Sequence, residues 1–373
     1  MTSLDSQFMA RALQLARQGE GHVEPNPMVG AVVVADGQIV GEGWHQKFGG
    51  PHAEVNALAA AGPRARGATL YVTLEPCCHT GKTPPCSQAV IEAGIARVVA
   101  AVADPFPQVD GGGFYQLRNA GVTCEIGLMQ QEARHLLAPY LKLVTTGRPW
   151  VIAKWAMTLD GKIATHTGSS QWITGTKARQ RVHQLRGRMD AIIVGSRTAR
   201  VDNPLLTARP PGVRRATRIV LGHLDPESQL ANSAHDAPLI VVRPRHVDPS
   251  EYHWLTATGG ELLLVDEGDH ITQMGQLLDQ LGERRMTNVM FEGGAVVLGA
   301  LFDAHVVDEV HAYVAPKITG GSGAPSPVSG FGACDMNDSI QLEGIELEQL
   351  ENDLFIHGRV KHSSGTVSTT PRP

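Results

Sequence analysis

Aromatic residues, cysteines and long runs of like charge are all scarce in this chain, and each shortage excludes a class of function. Phe, Trp and Tyr make up 5% of the 373 residues, and the formal net charge is −5 with no long run of Lys or Arg. A nucleic-acid surface needs a basic groove and stacking platforms, so no nucleic-acid partner is expected, whereas a small anionic ligand stays open. The five cysteines, at 77, 78, 86, 124 and 334, are too few and too clustered for a disulfide scaffold. Three of them stand close together beside a histidine motif, which favours metal in a reducing cytosol. No apolar run approaches the roughly 20 residues of a membrane-spanning helix. Met1 to Arg17 has no basic stretch leading into an apolar one, so no signal peptide is expected. A soluble, cytoplasmic chain with no membrane partner follows, and its 42% hydrophobic content and length suffice for two domains of ordinary size.

What is present centres on His52-Ala53-Glu54 and on Glu75-Pro76-Cys77 through Pro85-Cys86. An imidazole and two thiolates suit Zn2+, and a catalytic zinc keeps a fourth position for water. His52, Cys77 and Cys86 are therefore the candidate ligands, with Glu54 as the catalytic carboxylate that moves a proton to a leaving amine. The arrangement is that of zinc deaminases of nucleobases, except that eight residues rather than two separate the cysteines. The plainer reading is a closed structural zinc site completed by Cys78 or His79. It gives Glu54 no role, and adjacent Cys77 and Cys78 point apart in extended chain.

Around these motifs the first half alternates strands and helices. An amphipathic helix from Leu4 to Ala16 stops at Gly19, and Met28 to Val34 pairs with Gln38 to Gly43 across an Asp36-Gly37 turn. Helices at Ala53 to Ala61 and Ser87 to Ala93 would aim their N-termini at one point, favouring thiolate there. Strands at Thr69 to Leu74, Arg97 to Val102 and Val122 to Ile126 complete a three-layer α/β reading. After a helix from Leu128 to Val144, the polar connector Thr145 to Pro149 marks a domain boundary. Domains are expected over 1–146 and 150–361, with a polar, disordered tail over 362–373. The second half again alternates, from Trp150 to Trp155 through a strand ending at Pro316, and predicts a mostly parallel sheet with helices on both faces. Glu292-Gly293-Gly294-Ala295 is a glycine turn between strand and helix that can cradle a phosphate, though taken alone it is a weak signal.

Pro25-Asn26-Pro27-Met28-Val29-Gly30, His52-Ala53-Glu54, Thr73 to Cys77, Gly81 to Cys86 and Asp104-Pro105 resemble the deaminase half of the bifunctional riboflavin-biosynthesis deaminase/reductase family. Lys154, Leu159 to Lys162, Ser170 to Thr174, Thr198 to Thr207, Phe291 to Gly294 and Ala315 to Lys317 resemble its reductase half. The resemblance implies a cytidine-deaminase-like domain followed by a dihydrofolate-reductase-like domain, Zn2+ and NADPH as cofactors, a phosphorylated pyrimidine as substrate, and a homo-oligomer. It also implies contacts. Asn26 and the loop from His79 to Thr83 would touch the deaminase substrate; their plainer readings are a turn asparagine and a solvated loop. Ala156, Trp172, Thr198, Asp202, His223 and the turn Gly294, Ala295, Val296, Val297, Leu298, Gly299 and Ala300 would line the NADPH site. Ser170, Arg186, Leu206, Arg209 and Glu292 would hold the second substrate, with Lys154 near the reacting sugar and Arg186 and Arg209 clamping its phosphate. Two positions depart from the pattern. Cys78 replaces the usual serine, and Leu221-Gly222-His223 lacks the usual acidic residue after the strand. A deaminase acting on nucleic-acid bases and a non-catalytic zinc module remain the alternatives.

Overall fold

The computed structural model describes residues 3–80 and 84–361. Gly81, Lys82 and Thr83 of the expected substrate loop, and the expected tail 362–373, lie outside the described residues.

The first half is built on a five-stranded sheet in the order β2-β1-β3-β4-β5. Its strands are β1 (Gly30–Ala35), β2 (Gln38–Trp44), β3 (Thr69–Val72), β4 (Arg97–Ala100) and β5 (Thr123–Ile126). Its helices are α1 (Ser3–Ala16), α2 (Ala53–Ala61), α3 (Cys86–Glu92), α4 (Gly112–Asn119) and α5 (Gln130–Thr146). The β1 and β2 hairpin closes through Asp36 and Gly37, both at positive φ, as a two-residue turn requires. Two glycines of β2 set the height of α2 above the sheet. A Cβ at Gly41 would lie 2.2 Å from the Ala57 carbonyl oxygen, and one at Gly43 would lie 2.4 Å from the Ala57 nitrogen. The alanines of α2 complement that approach, so the helix carrying Glu54 lies close against the sheet.

In the second half, nine strands run in the order β10-β9-β8-β7-β11-β6-β12-β14-β13. They are β6 (Trp150–Thr158), β7 (Ala191–Gly195), β8 (Thr217–Leu221), β9 (Leu239–Pro244), β10 (Glu261–Val265), β11 (Asn288–Glu292), β12 (Glu309–Ala315), β13 (Leu342–Leu350) and β14 (Asp353–Val360). The helices between them are α6 (Thr176–Arg186), α7 (Ser196–Asp202), α8 (Gln229–Asn232), α9 (His253–Ala257), α10 (His270–Glu283) and α11 (Ala295–Asp303). The strands from β10 to β12 pair in parallel, and β14 and β13 add antiparallel at one edge. Alternate residues enter different cores, as period-two strands dictate. Ile193, Ile219 and Phe291 pack with α10 and α11, whereas Ile192, Val220 and Met290 pack with α8 and α9. Both faces of the parallel part of this sheet, from β10 to β12, are covered, as the hydrophobic runs predict.

The halves meet across charged contacts. Lys142 of α5 pairs with Asp308 at 2.5 Å, and the same Asp308 carboxylate accepts the Val151 N–H of β6. Arg188 pairs with Glu20, and Arg214 donates to the Glu24 carbonyl and pairs with Asp190.

Candidate active sites

Three short pieces of chain converge in the first half. His52 is the extended residue that starts α2, Cys77 follows β3, and Cys86 is the first residue of α3. His52 Nδ1 lies 3.2 Å from Cys86 Sγ and 3.6 Å from Cys77 Sγ, and the Cys86 N–H donates to Cys77 Sγ at 3.4 Å. Around a tetrahedral zinc, bonds of ~2.3 Å to sulfur and ~2.0–2.1 Å to nitrogen put ligand atoms roughly 3.5–3.8 Å apart. The cluster thus fits zinc with little movement, and its one nitrogen and two sulfurs suit that metal. Cys78 is turned away, its thiol directed to the Gln108 carbonyl at 3.4 Å, and neither it nor His79 belongs to the cluster. That geometry removes the closed four-ligand alternative.

Electrostatics support the same division of labour. A hydrogen bond from Cys86, with a further contribution from His52, pushes the Cys77 thiol down to about 4, and that bond together with burial pushes Cys86 up. One proton therefore stays on the pair in the protein alone, and a bound cation displaces it. Glu54 is only 3% exposed. Burial, followed by the nearby Cys77 charge, pushes its carboxyl up to about 7, and a cation at the cluster would pull it back down. Asn26 reaches this site through a histidine that sequence reasoning missed. Its amide lies 3.3 Å from His45 Nε2, His45 Nδ1 faces the Pro51 carbonyl, and the His45 and His52 rings are 5.2 Å apart. The neighbouring Glu75 is structural: its carboxylate accepts the N–H groups of Asp104, Gly111 and Phe114 and anchors the start of α4.

The second site is a cavity of about 1400 Å³ at the carboxyl ends of the parallel strands, where open α/β sheets bind ligands. Lys154, Ser170, Arg186, Leu206, Arg209 and Glu292 line it together, as do Ala156, Trp172, Thr198 and Asp202. From the glycine turn, Gly294, Ala295, Val296, Val297 and Ala300 also face it. Three expected residues are not in its walls. Leu298 is fully buried in the core, Gly299 abuts the Ser329 carbonyl, and His223 lies beside the Tyr252 hydroxyl at 3.4 Å while Leu221 and Gly222 line the cavity. The helical period explains the first two, because residues 298 and 299 lie on the face of α11 opposite the cavity.

Charge in this cavity is organised around Glu292. Arg186 grips it with paired hydrogen bonds of 2.6 and 2.7 Å, and Lys154 Nζ stands 3.9 Å away. Burial alone would raise the Glu292 carboxyl, but Arg186 and Lys154 carry it down to about 2. Burial lowers the Lys154 ammonium against the pull of Glu292. The Arg186 fork is thus already engaged, while Arg209 lines the cavity without an acidic partner among the described residues. Asp202 accepts the Ser170 hydroxyl at 2.7 Å, and Arg179 stacks over Trp172 at 4.6 Å. No motif marks Arg179 for this contact. A nicotinamide dinucleotide fits this space: the volume exceeds that of an ordinary single-ligand pocket, and Gly293 and Gly294, both at positive φ, expose the start of α11 to it.

Fold and sites together define a zinc-dependent pyrimidine deaminase joined to an NADPH-dependent reductase. Residues 2–102 match the cytidine and deoxycytidylate deaminase zinc-binding region, and residues 149–356 match the RibD C-terminal domain. The riboflavin biosynthesis protein RibD of Actinobacillus pleuropneumoniae is 40% identical over 359 residues, covering 95% of each chain. The RibD structure of Acinetobacter baumannii superposes with a TM-score of 0.84 at 34% identity, over 96% of this chain and 99% of that one. A deaminase/reductase structure from Thermotoga maritima, whose name specifies diaminohydroxyphosphoribosylaminopyrimidine and 5-amino-6-(5-phosphoribosylamino)uracil, gives 0.81 at 36% identity over 96% and 99%. The chain belongs to the RibD family of bifunctional riboflavin-biosynthesis enzymes, with Zn2+ and NADPH as the cofactors of its two halves.

Proposed function

We propose that the first half hydrolytically deaminates 2,5-diamino-6-(ribosylamino)pyrimidinone 5′-phosphate and that the second half reduces the ribosyl side chain of the product to ribityl. The convergence of His52, Cys77 and Cys86 beside the buried Glu54 carries this reading. His52, Cys77 and Cys86 hold Zn2+, which when bound supplies an acidified water. Glu54, enclosed beside the cluster, would hold the water's proton and return it to the departing amine. Asn26, braced by His45, orients the pyrimidine.

NADPH supplies hydride when bound in the large cavity. The start of α11 holds its phosphates, with Ala156, Trp172, Thr198 and Asp202 along its length. Lys154, its charge destabilised by burial, holds a proton beside the reacting sugar carbon, and Arg186 fixes Glu292 so that this carboxylate orients the sugar. Ser170 and Leu206 complete the substrate wall, and Arg209 takes the phosphate. His223, Leu298 and Gly299 act from behind the wall rather than in it.

The deaminase half spans 1–146 and the reductase half 150–361. The enzyme works in the cytoplasm as a homo-oligomer on a small phosphorylated pyrimidine, without nucleic-acid or membrane partners; no helix among the described residues is long and apolar enough to cross a membrane. Mass spectrometry of products from the diaminopyrimidinone substrate tests both halves. Deaminated product without NADPH, and ribityl product only with it, is the expected result; unchanged substrate under both conditions would refute the reading.

A further inference from the structure

A second group of potential metal ligands lies outside both sites. Glu309 and His311 are two residues apart on β12 and so share one face of the sheet. His357 of β14 is the direct cross-strand partner of His311, and the antiparallel register brings its ring onto the same face. Glu309 Oε1 lies 2.6 Å from His311 Nε2 and 2.8 Å from His357 Nε2. Two imidazole nitrogens and one carboxylate oxygen therefore point at a common centre. We propose that Glu309, His311 and His357 form a second binding site for a divalent transition cation of the zinc class.

Two imidazoles and a carboxylate form an established three-ligand set for zinc, leaving a position for water. Glu309 Oε1 now accepts an N–H from each ring, so a single cation would replace two hydrogen-bonding protons. The two nitrogens need to draw back from Glu309 Oε1 by roughly 0.5–0.8 Å to reach the spacing set by zinc bonds of ~2.0–2.2 Å, which is small for side chains of this length. Binding through Nε2 moves each ring proton to Nδ1. His357 Nδ1 faces Glu346 Oε2 at 3.9 Å, within ion-pair range but beyond hydrogen-bond reach. His311 Nδ1 is buried without a partner, so a proton moved there works against the cation and the convergent ligand atoms must outweigh it. Trp150 of β6 donates its indole N–H to the other Glu309 oxygen at 3.0 Å and fixes the carboxylate's orientation, as groups behind metal ligands do. Burial without a partner would raise Glu309, yet the two histidines hold it well below the usual carboxylate range. Arg181 and Arg359 also face the cluster and oppose a cation, while Glu346 at its edge offsets them in part.

Glu309 and His311 stand in register with Ile152 and Lys154 of β6, one step along the same face of β12 from Tyr313, which lines the large cavity. An ion there would tie β12 to β14 and, through Trp150, both of them to β6. Its role is structural, and it is independent of the function proposed above.

Cobalt titration of the full-length, chelator-stripped protein separates the two sites. Wild type should bind two equivalents of Co2+, one with thiolate-to-cobalt charge-transfer bands and one with d–d bands alone. Cys77→Ser/Cys86→Ser should lose the first kind and keep the second. Adding Glu309→Gln or His357→Ala to that variant should remove the remaining ion, with folding checked by circular dichroism. If His357→Ala fails to fold, the near-isosteric Glu309→Gln decides. The proposal is overturned if wild type binds only the thiolate-ligated equivalent, or if the second equivalent survives in folded Glu309→Gln. Absence of the thiolate bands would instead count against the deaminase zinc site alone.

Discussion

The two halves solve different problems with different kinds of site. In the first, His52, Cys77 and Cys86 from three short segments hold their ligand atoms within 4.8 Å of one another, with Glu54 buried beside them. In the second, about 1400 Å³ is kept open and the fixed charges stand at its wall. Hydrolysis of one bond needs a few atoms held rigidly, whereas hydride transfer needs two extended molecules brought face to face. A compact site concentrates its energetics in single residues; an open site distributes them.

Substitutions can break that contrast or sharpen it. The largest effect belongs to Glu54→Gln, which should lower deamination by about 10²–10⁴-fold while zinc content and reduction of pre-deaminated substrate stay intact. Near-normal ammonia release would remove the proton-handling role. Next is Glu292→Gln, which leaves Arg186 and Lys154 buried without their counter-charge and should cost about 3–5 kcal/mol, read by denaturant unfolding. Because the Glu292 carboxyl is depressed to about 2 when folded, its stabilisation is present above the unfolded value near ~4.5 and fades as pH falls toward 2. The variant should therefore lose part of the wild-type decline in stability across that acid window. A parallel pH profile for both proteins would show that Glu292 is not so held.

Smaller effects test positioning. Asp202→Ala should reduce NADPH oxidation by about 10²-fold without touching deamination, since it removes the partner of Ser170 in the cavity wall. Unchanged rates for both reactions would move the reductase site elsewhere. Gly43→Ala should cost about 1–3 kcal/mol by forcing α2 away from β2, with deamination falling more than reduction. Equal losses in both activities would mean that the helix is not specific to the first site.

Much of this was readable from the chain because it was written in local pattern. His52, Cys77 and Cys86 announce themselves by residue type, and the strands that bury both faces are continuous apolar runs. The misses have equally local causes. The helix α4 begins Gly111-Gly112-Gly113, which reads as a turn, and it is tethered by Glu75, whose role appears only in three dimensions. Strand β13 is exposed along nearly its whole length and has no inward apolar face to give a period. The engagement of Arg186 by Glu292 joins residues 106 positions apart, a pairing that no local pattern in the chain announces. His45 carried no motif at all, and only its burial between Asn26 and Pro51 marks it.

The double duty of Asp308, accepting both Lys142 from α5 and the Val151 N–H from β6, bears on whether the polypeptide can be divided. Severing it at Gly147 and parting the products would strip a buried carboxylate of its lysine and expose to water the surfaces now joined by Arg188 with Glu20 and Arg214 with Glu24. Each fragment would inherit half of several unfinished ion pairs. Two separately made pieces should accordingly work best when supplied together, as complementing partners rather than as independent catalysts.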